Sequence, residues 1–484
     1  MAIFELQPFN TYITMKKIHS LIGLLFVFAT FSCTPKKALT SDNLQSGVSH
    51  PEWSRNAVIY EVNLRQYTDE GTIKAFQTHL PQLKELGVDI LWLMPINPIS
   101  ELNRKGKLGS YYAVKNYKEM NPEFGTIANL KEMVKKAHEM GFKVILDWVA
   151  NHTGCDNVWV KQHPDWYVKD SLGKIVSPFN WTDTYKLDYT KKEMRAAMID
   201  AMKFWVKECD IDGYRCDVAF EVPTDFWNIV RKELDSIKPM FMLAEAEKPE
   251  LTEKAFDMAY NWPLKDLMGK IAKGSAAEKA QYVHKKADVD SLAKTVKTAA
   301  DIDKLLAHQD SVFPKDAYQM NHITNHDLNS WEGTEFVRLG DGVKAFAVLT
   351  YTLKGMPLIY TGQEVGMNRA LKFFEKDKAP DWTKNEMFAF YKKLNQLKHT
   401  QPALAAGEKG GEMVRFLTAS PNVFVFARKL ATSEVLVYLN LSKEPVTLSF
   451  KDEAPKGDFT DYFVGKKATL STKLAPWEYK VFLK

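Results

Sequence analysis

From Asn56 onward, short runs of β-branched and aromatic residues alternate with amphipathic stretches of helical period, the pattern of β-strand/α-helix units built on a parallel sheet. The runs predicted as strands are Ala57–Val62, Val88–Met94, Lys143–Val149, Gly213–Val218, Met240–Ala244, Met258–Trp262, Ala317–Thr324 and Met356–Tyr360. They are apolar almost throughout, as strands buried on both faces must be. Helices are predicted over Ile73–Leu86, Leu130–Met140, Lys191–Lys207, Thr224–Ile237 and Asp341–Leu353, with Gly87 and Gly141 as C-terminal caps of the first two. Eight such units over roughly 350 residues fit a (β/α)8 TIM barrel better than an open doubly wound sheet.

Two stretches depart from a minimal barrel. The polar segment His152–Thr190 after the third strand reads as a small insert, and the charged segment Lys270–Asp310 keeps helical period and predicts an extended helix in the sixth unit. After Leu404 the pattern changes to alternating strands, Val423–Arg428, Glu434–Leu441, Pro445–Phe450 and Glu478–Leu483. The expected organisation is thus a barrel over residues 52–400 carrying the insert 152–190, then a C-terminal antiparallel β-sandwich domain over residues 401–484.

The amino terminus breaks the pattern. Met15-Lys16-Lys17 precedes an apolar run from Leu21 to Phe31 and then Ser32-Cys33, the layout of a signal peptide. A Cys closing such a segment resembles the bacterial lipoprotein signal, in which that Cys is acylated. Residues 1–14 would then lie upstream of the true start, Cys33 would carry the lipid, and residues 34–51, polar and small, would form a tether. The expected location follows: export across the inner membrane, with lipid anchoring in the periplasm or at the outer membrane as the protein's one attachment to a bilayer. No internal stretch approaches the ~20 apolar residues that span a membrane.

Composition narrows the partners. The net charge of +5 is spread over short basic clusters interleaved with acids, which argues against nucleic acid. Cys155, Cys209 and Cys216 remain once Cys33 is set aside; their odd number and the absence of CxxC spacing argue against a disulfide framework or zinc site and favour buried thiols, with a bridge between one pair in an oxidising compartment left open. No nucleotide, flavin or haem motif is present, so no cofactor is required for the expected chemistry.

In a parallel barrel the reactive side chains lie where strands end and βα loops begin. Four runs end in acids: Asp147-Trp148-Val149-Ala150-Asn151-His152, Gly213-Tyr214-Arg215-Cys216-Asp217, Leu243-Ala244-Glu245 and Thr324-Asn325-His326-Asp327. One acid after a strand is commonly a solvated loop residue or a helix N-cap. Four in series suggest an acid/base site. Arg215 and Asp217, two residues apart on one strand, share a face, where the guanidinium favours the ionised carboxylate. Glu245 has no Arg or Lys within two residues, so Asp217 and Asp327 are expected to weaken its acidity.

The motifs DWVANH, GYRCD, LAE and TNHD, in this order, resemble the four signature regions of the α-amylase family, glycoside hydrolase family 13. Tyr112-Ala113-Val114-Lys115-Asn116-Tyr117, Asn121–Thr126 and Gly355–Glu364 add to the resemblance, which runs from about Asn56 to Lys484. It implies a retaining glycosidase acting on α-1,4-linked glucans or maltooligosaccharides, with Asp217 as nucleophile, Glu245 as general acid/base and Asp327 as a third acid gripping sugar hydroxyls. Retention needs the first two carboxyls about 5–5.5 Å apart. The resemblance further implies that His152 and His326 bond the sugar at the cleavage subsite as neutral imidazoles, that Tyr112 stacks beneath it with Tyr111 turned to the core, and that Asp147 positions Arg215.

The sequence also departs from the family pattern. Val218-Ala219-Phe220-Glu221 follows Asp217 where many α-amylases carry Lys-His, and Tyr185-Lys186-Leu187-Asp188 is similar to neopullulanase-like members. Asn151 and Asp188 match positions that ligate a structural Ca2+ in many relatives, where oxygen donors suit a hard cation; Asn151 serves equally as a partner of the loop backbone. Neopullulanase- or cyclomaltodextrinase-like specificity and transfer to a second sugar instead of water both stay open. A catalytically inactive glucan-binding relative is the non-enzyme alternative, against which stands the presence of all three acids.

Overall fold

The structure is a computed structural model and describes residues 46–274, 297–470 and 472–484. The signal segment, Cys33 and the tether up to residue 45 lie outside the described residues, as does the middle of the helix expected over 270–310. Helices are described on either side of that gap, Trp262–Lys273 and Ala300–Val312.

Eight parallel strands close into a barrel: β1 (Ile59–Val62), β2 (Ile90–Leu93), β3 (Lys143–Val149), β4 (Gly213–Asp217), β5 (Phe241–Ala244), β6 (Met258–Tyr260), β7 (Tyr318–Asn321) and β8 (Met356–Tyr360). Each pairs with its neighbours in sequence, and β1 closes on β8. Alternate residues point inward. Ile59, Ile90, Ile145, Phe241, Leu243, Met258, Tyr318, Met320, Met356 and Leu358 fill the lower interior with apolar side chains, the layered filling of such barrels. Gly213 is required where β4 crosses closest to β5, since a Cβ there would lie 1.9 Å from the Phe241 carbonyl oxygen.

One step further along the same inward rows, toward the carboxyl ends of the strands, the chemistry changes. Glu61, Trp92, Asp147, Arg215 and Tyr260 are buried inward-facing residues at the carboxyl ends of their strands. The helix expected over Ile73–Leu86 is broken into Ile73–Gln77 and Leu80–Leu86. Pro81 lacks the amide hydrogen an interior helical position needs and instead sits in the first turn of the second piece. The insert holds little regular structure; its short pair His152–Gly154 and Thr184–Lys186 is antiparallel.

Beyond the helix Glu386–Thr400, the C-terminal region forms a six-stranded antiparallel sheet built from β9 (Glu412–Arg415), β10 (Val423–Leu430), β11 (Ser433–Asn440), Thr460–Asp461, Lys466–Lys467 and Tyr479–Leu483. A two-stranded ribbon, Val446–Thr447 with Lys473–Leu474, lies over one face. Alternation splits the apolar residues: Val425, Leu436, Tyr438 and Phe482 meet the ribbon, whereas Phe424, Phe426, Val435 and Val437 join the barrel's core.

The end of the expected tether is not free. Arg231 donates to the Ser49 carbonyl oxygen at 2.9 Å, and His50 contacts Asp257 at 2.8 Å and Asp316 at 3.3 Å. These acids precede β6 and β7, so the chain enters at the amino-terminal end of the barrel, away from the strand ends that carry the acids.

Candidate active site

Strand register assembles the site. Asp147 lies opposite Arg215 across β3–β4, and Val149 opposite Asp217. Across β4–β5, Cys216 faces Ala244, which carries Glu245 to the level of Asp217. The Arg215 guanidinium, wholly buried, is the hub: Nη1 donates to Asp147 Oδ1 at 2.8 Å and to Asp217 Oδ1 at 3.1 Å, and Nε donates to the Tyr260 hydroxyl at 3.1 Å. Its plane packs over Trp92, 5.1 Å from the ring centroid.

One expectation is corrected here. Glu245 does have a cationic neighbour, since Arg215 Nη2 lies 2.9 Å from Glu245 Oε1. Spacing along one strand cannot show this, because the contact crosses to the next strand through a long side chain. The two acids still differ: Asp217 receives an aligned hydrogen bond from Arg215, while Glu245 receives one from the Val218 amide at 2.8 Å. Val218 adopts φ 36°, a left-handed conformation costly for a β-branched residue, and that turn aims its N–H at Glu245.

Nor does Arg215 alone decide the charge of Asp217. Burial, and then the Glu245 charge, push the Asp217 carboxyl well above its usual range against the pull of Arg215. Burial likewise raises Glu245, opposed by Arg215 and reinforced by Asp327. Two acids so placed titrate as a pair that retains one proton where isolated carboxyls hold none. One ionised and one protonated carboxyl is the state that acetal cleavage with retention requires.

The remaining predicted residues surround this pair. Tyr112 is 9% exposed; its hydroxyl donates to Asp147 Oδ2 at 3.0 Å and lies 2.8 Å from His326 Nε2, and its ring stacks on His326 and Phe373. Tyr111 is core-facing, its hydroxyl donating to Asn63. His152 is buried, 5.3 Å from the Trp181 ring centroid, and burial lowers its pKa to about 3, so it is neutral. His326 differs from expectation. Burial opposes its protonation, but Asp327 and Glu61 outweigh that and raise it to about 9, so it is a cation near neutrality. Asp327 lies 3.4 Å from His326 Nε2 and lines a cavity of about 340 Å³ with Trp262 and Trp331.

Sequence reasoning missed Glu61, Trp92 and Tyr260. Glu61 pairs with His326 Nδ1, and its signal was a lone carboxyl inside the apolar run Ala57–Val62. The exposed Trp331 beside Phe373 and Phe374 sits in a loop whose pattern carries no such mark.

Asn151 and Asp188, the two residues that the resemblance assigns to Ca2+, each have a protein partner. Asp188 Oδ1 accepts from the Thr190 amide and hydroxyl at 2.9 and 2.7 Å, while the Asn151 amide faces His152 at 3.4 Å. Among the described residues no three His, Cys, Asp or Glu side chains converge as a metal cluster. Cys155, Cys209 and Cys216 are buried and free, as expected.

Residues 40–381 match the family described as the α-amylase catalytic domain. The α-amylase MalA of Haloarcula japonica is 27% identical over 86% of this chain, which spans 59% of that protein's length. A cyclomaltodextrinase of Geobacillus thermopakistaniensis is 26% identical over 85% of the chain and 70% of its own length. Among solved structures, an α-amylase from Lactobacillus plantarum is 28% identical with a TM-score of 0.76, covering 89% of this chain and 99% of its own. The maltogenic α-amylase AmyB from Thermotoga neapolitana is 28% identical with a TM-score of 0.77, covering 89% and 98%.

Proposed function

The chain belongs to the α-amylase family, and from that premise we propose that it hydrolyses α-1,4-glucosidic bonds of maltooligosaccharides or starch-like glucans with retention of configuration. The observation that carries this is the single buried guanidinium holding Asp217 in an aligned hydrogen bond while touching Glu245, at adjacent strand ends. Glu245, protonated, gives its proton to the glycosidic oxygen as Asp217 attacks the anomeric carbon; the C–O bond breaks and a glycosyl ester forms. Glu245, now ionised, takes a proton from water, whose oxygen displaces Asp217 and releases a sugar of the original anomeric configuration. Asp327, neutral His152 and charged His326 hold the sugar's hydroxyls, with Tyr112 at its face. Asp147 acts through Arg215 and is a positioning residue.

Specificity toward short or cyclic glucans, as in neopullulanase- or cyclomaltodextrinase-like enzymes, is supported by the similarity of Tyr185-Lys186-Leu187-Asp188 to neopullulanase-like members and by the cyclomaltodextrinase relative; in the structure Lys186 Nζ donates to Glu221 Oε2 at 3.0 Å. This joins the insert to the segment following the nucleophile, where many α-amylases present Lys-His. Incubation with maltoheptaose, pullulan and a cyclodextrin tests both readings. Hydrolysis with the α-anomer appearing first, and loss of several orders of magnitude in Asp217→Asn, supports the mechanism; products longer than the substrate would indicate a sugar acceptor.

The proposal extends to location: export and acylation at Cys33, with the catalytic unit tethered in the periplasm or at the outer membrane. The basic segment, apolar run and Cys33 support it. Cys33→Ser should move the protein from the detergent phase to the aqueous phase; unchanged partition would refute the anchor.

A further inference from the structure

The chemistry fixes which rim of the barrel faces which end of the glucan. Glu245, directly after β5, must reach the glycosidic oxygen it protonates, so the leaving sugar lies on the β5 side of the anomeric carbon. O4, through which the chain continues to its non-reducing end, lies across the pyranose ring from that carbon. The non-reducing side is therefore directed to the opposite rim. In the closed order of eight strands β5 stands opposite β1, and β2 and β8 flank β1.

The two rims are built differently. On the leaving side, Glu247, Trp262, Lys265, Asp327 and Trp331, from the segments after β5, β6 and β7, line the cavity of about 340 Å³. On the other side, the segments after β1, β2 and β8 are sewn together. The chain after β2 forms a hairpin based on the antiparallel bridge Ile99–Val114, and its tip, residues 102–109, is held at both flanks. Lys105 Nζ pairs with the buried Asp183 of the insert at 2.9 Å. At the other flank, the Leu108 amide donates to the Phe374 carbonyl oxygen at 2.9 Å and the Lys107 amide to Glu375 Oε1 at 2.7 Å, both in the segment after β8. Gly106 permits this approach, since at φ +62° a Cβ there would lie 2.5 Å from Phe374 Cβ.

Two buried residues after β1 lock the seam. Arg65 Nη1 donates to the carbonyl oxygens of Gly109 and Phe373 at 3.1 and 3.2 Å, one on each side of it. Gln66 Nε2 donates to those of Lys372 and Glu375 at 2.8 and 2.7 Å. A loop fixed through buried hydrogen bonds opens far less readily than one held by exposed ones. The seam also reaches the catalytic hollow, because the Phe373 ring stacks on that of Tyr112 at 6.2 Å and 13°.

We propose that this wall closes the non-reducing side of the site, so that the enzyme works on linear α-1,4-glucans from their free non-reducing ends and releases short units. The inference rests on the proposed function and its roles for Asp217 and Glu245. Specificity here works by exclusion: a glucan crossing the mouth in mid-chain would have to pass through the hairpin tip. A cyclic glucan offers no end to seat, so linear chains are selected.

The test gives the full chain p-nitrophenyl maltoheptaoside, and the same compound capped by an ethylidene group across O4 and O6 of its non-reducing sugar. The free compound should yield a single p-nitrophenyl product at early times, and the capped one should react at least about 20-fold more slowly. Replacing residues 103–108 by Gly-Gly should narrow that ratio to below about three-fold and yield several p-nitrophenyl products. Gly106→Ser, which forces the tip off Phe374 without shortening the chain, is the second variant and should move the ratio in the same direction. Hydrolysis of the free compound by a variant shows that it has folded. Equal rates on the two compounds in the native chain overturn the inference and leave the proposed function standing. Exclusion of the capped compound that persists in both variants overturns it as well, because the barrier then lies elsewhere. No hydrolysis of either compound by the native chain overturns the proposed function, and the inference with it.

Discussion

Replacing Arg215 by Met removes a cation that touches Asp147, Asp217 and Glu245 at once, at 2.8, 3.1 and 2.9 Å. At an effective dielectric near 20, unit charges about 3 Å apart attract by roughly 5–6 kcal/mol. Desolvation offsets part of that, and stripping one partner from a buried ion pair costs about 3–5 kcal/mol net. The chemical consequence is separate from the loss of stability. A neighbouring Arg lowers a carboxyl pKa by about 1–3 units, and Arg215 opposes the rise of both catalytic acids. Without it, both limbs of the kcat/KM profile should move to higher pH by about 1–3 units, and activity on the acid side should fall by about 10- to 1,000-fold. The assay is maltotriose hydrolysis from pH 4 to 10, with denaturant unfolding alongside. Arg215→Lys should fall between, because one ammonium keeps the charge but not the forked geometry. An unshifted acid limb in Arg215→Met would refute the role given to this guanidinium, whatever its stability.

Two further predictions concern stability against pH. Burial opposes charge on His50, but Asp257 and Asp316 outweigh it and raise the pKa from 6.5 to about 9; the raised value makes its contribution complete below pH 6.5 and lost as pH climbs through 9. His50→Ala should therefore be less stable than the parent by about 1–2 kcal/mol at pH 6, with the gap shrinking by pH 10; a gap independent of pH in urea titrations would contradict this. Burial raises Glu364 from 4.5 to about 7, so the stability of its neutral form is present below pH 4.5 and declines up to pH 7. Glu364→Gln, which keeps an acceptor for the Tyr60 hydroxyl, should match the parent at pH 4.5 and exceed it by about 3 kcal/mol at pH 8; equal stability at pH 8 would count against it.

The barrel was legible because its strands are buried on both sides. Lys143–Val149 and Met356–Tyr360 match the observed strands end to end, since only an unbroken apolar run satisfies that environment. Edges fared worse. Ala57–Val62 begins its ladder two residues late, at Ile59, and Pro445–Phe450 forms a ladder only over Val446–Thr447, with one isolated bridge from Phe450 to Thr418, because pairing at a sheet's margin depends on partners distant in sequence. The acids at strand ends were visible as carboxyls following apolar runs. What the sequence could not show was cross-strand: the reach of Arg215 to Glu245, the left-handed Val218 that presents its amide, and the charge that Glu61 imposes on His326. Each depends on which strands are neighbours, and on side-chain length, rather than on local spacing.

The central claim is that Asp217 becomes covalently linked to the sugar during turnover. A 5-fluoro-α-D-glucosyl fluoride, which slows breakdown of the ester more than its formation, should inactivate the enzyme transiently and add one glycosyl mass to the peptide containing Asp217. A label on Asp147 or Glu245, or no label together with first release of the β-anomer, would contradict it.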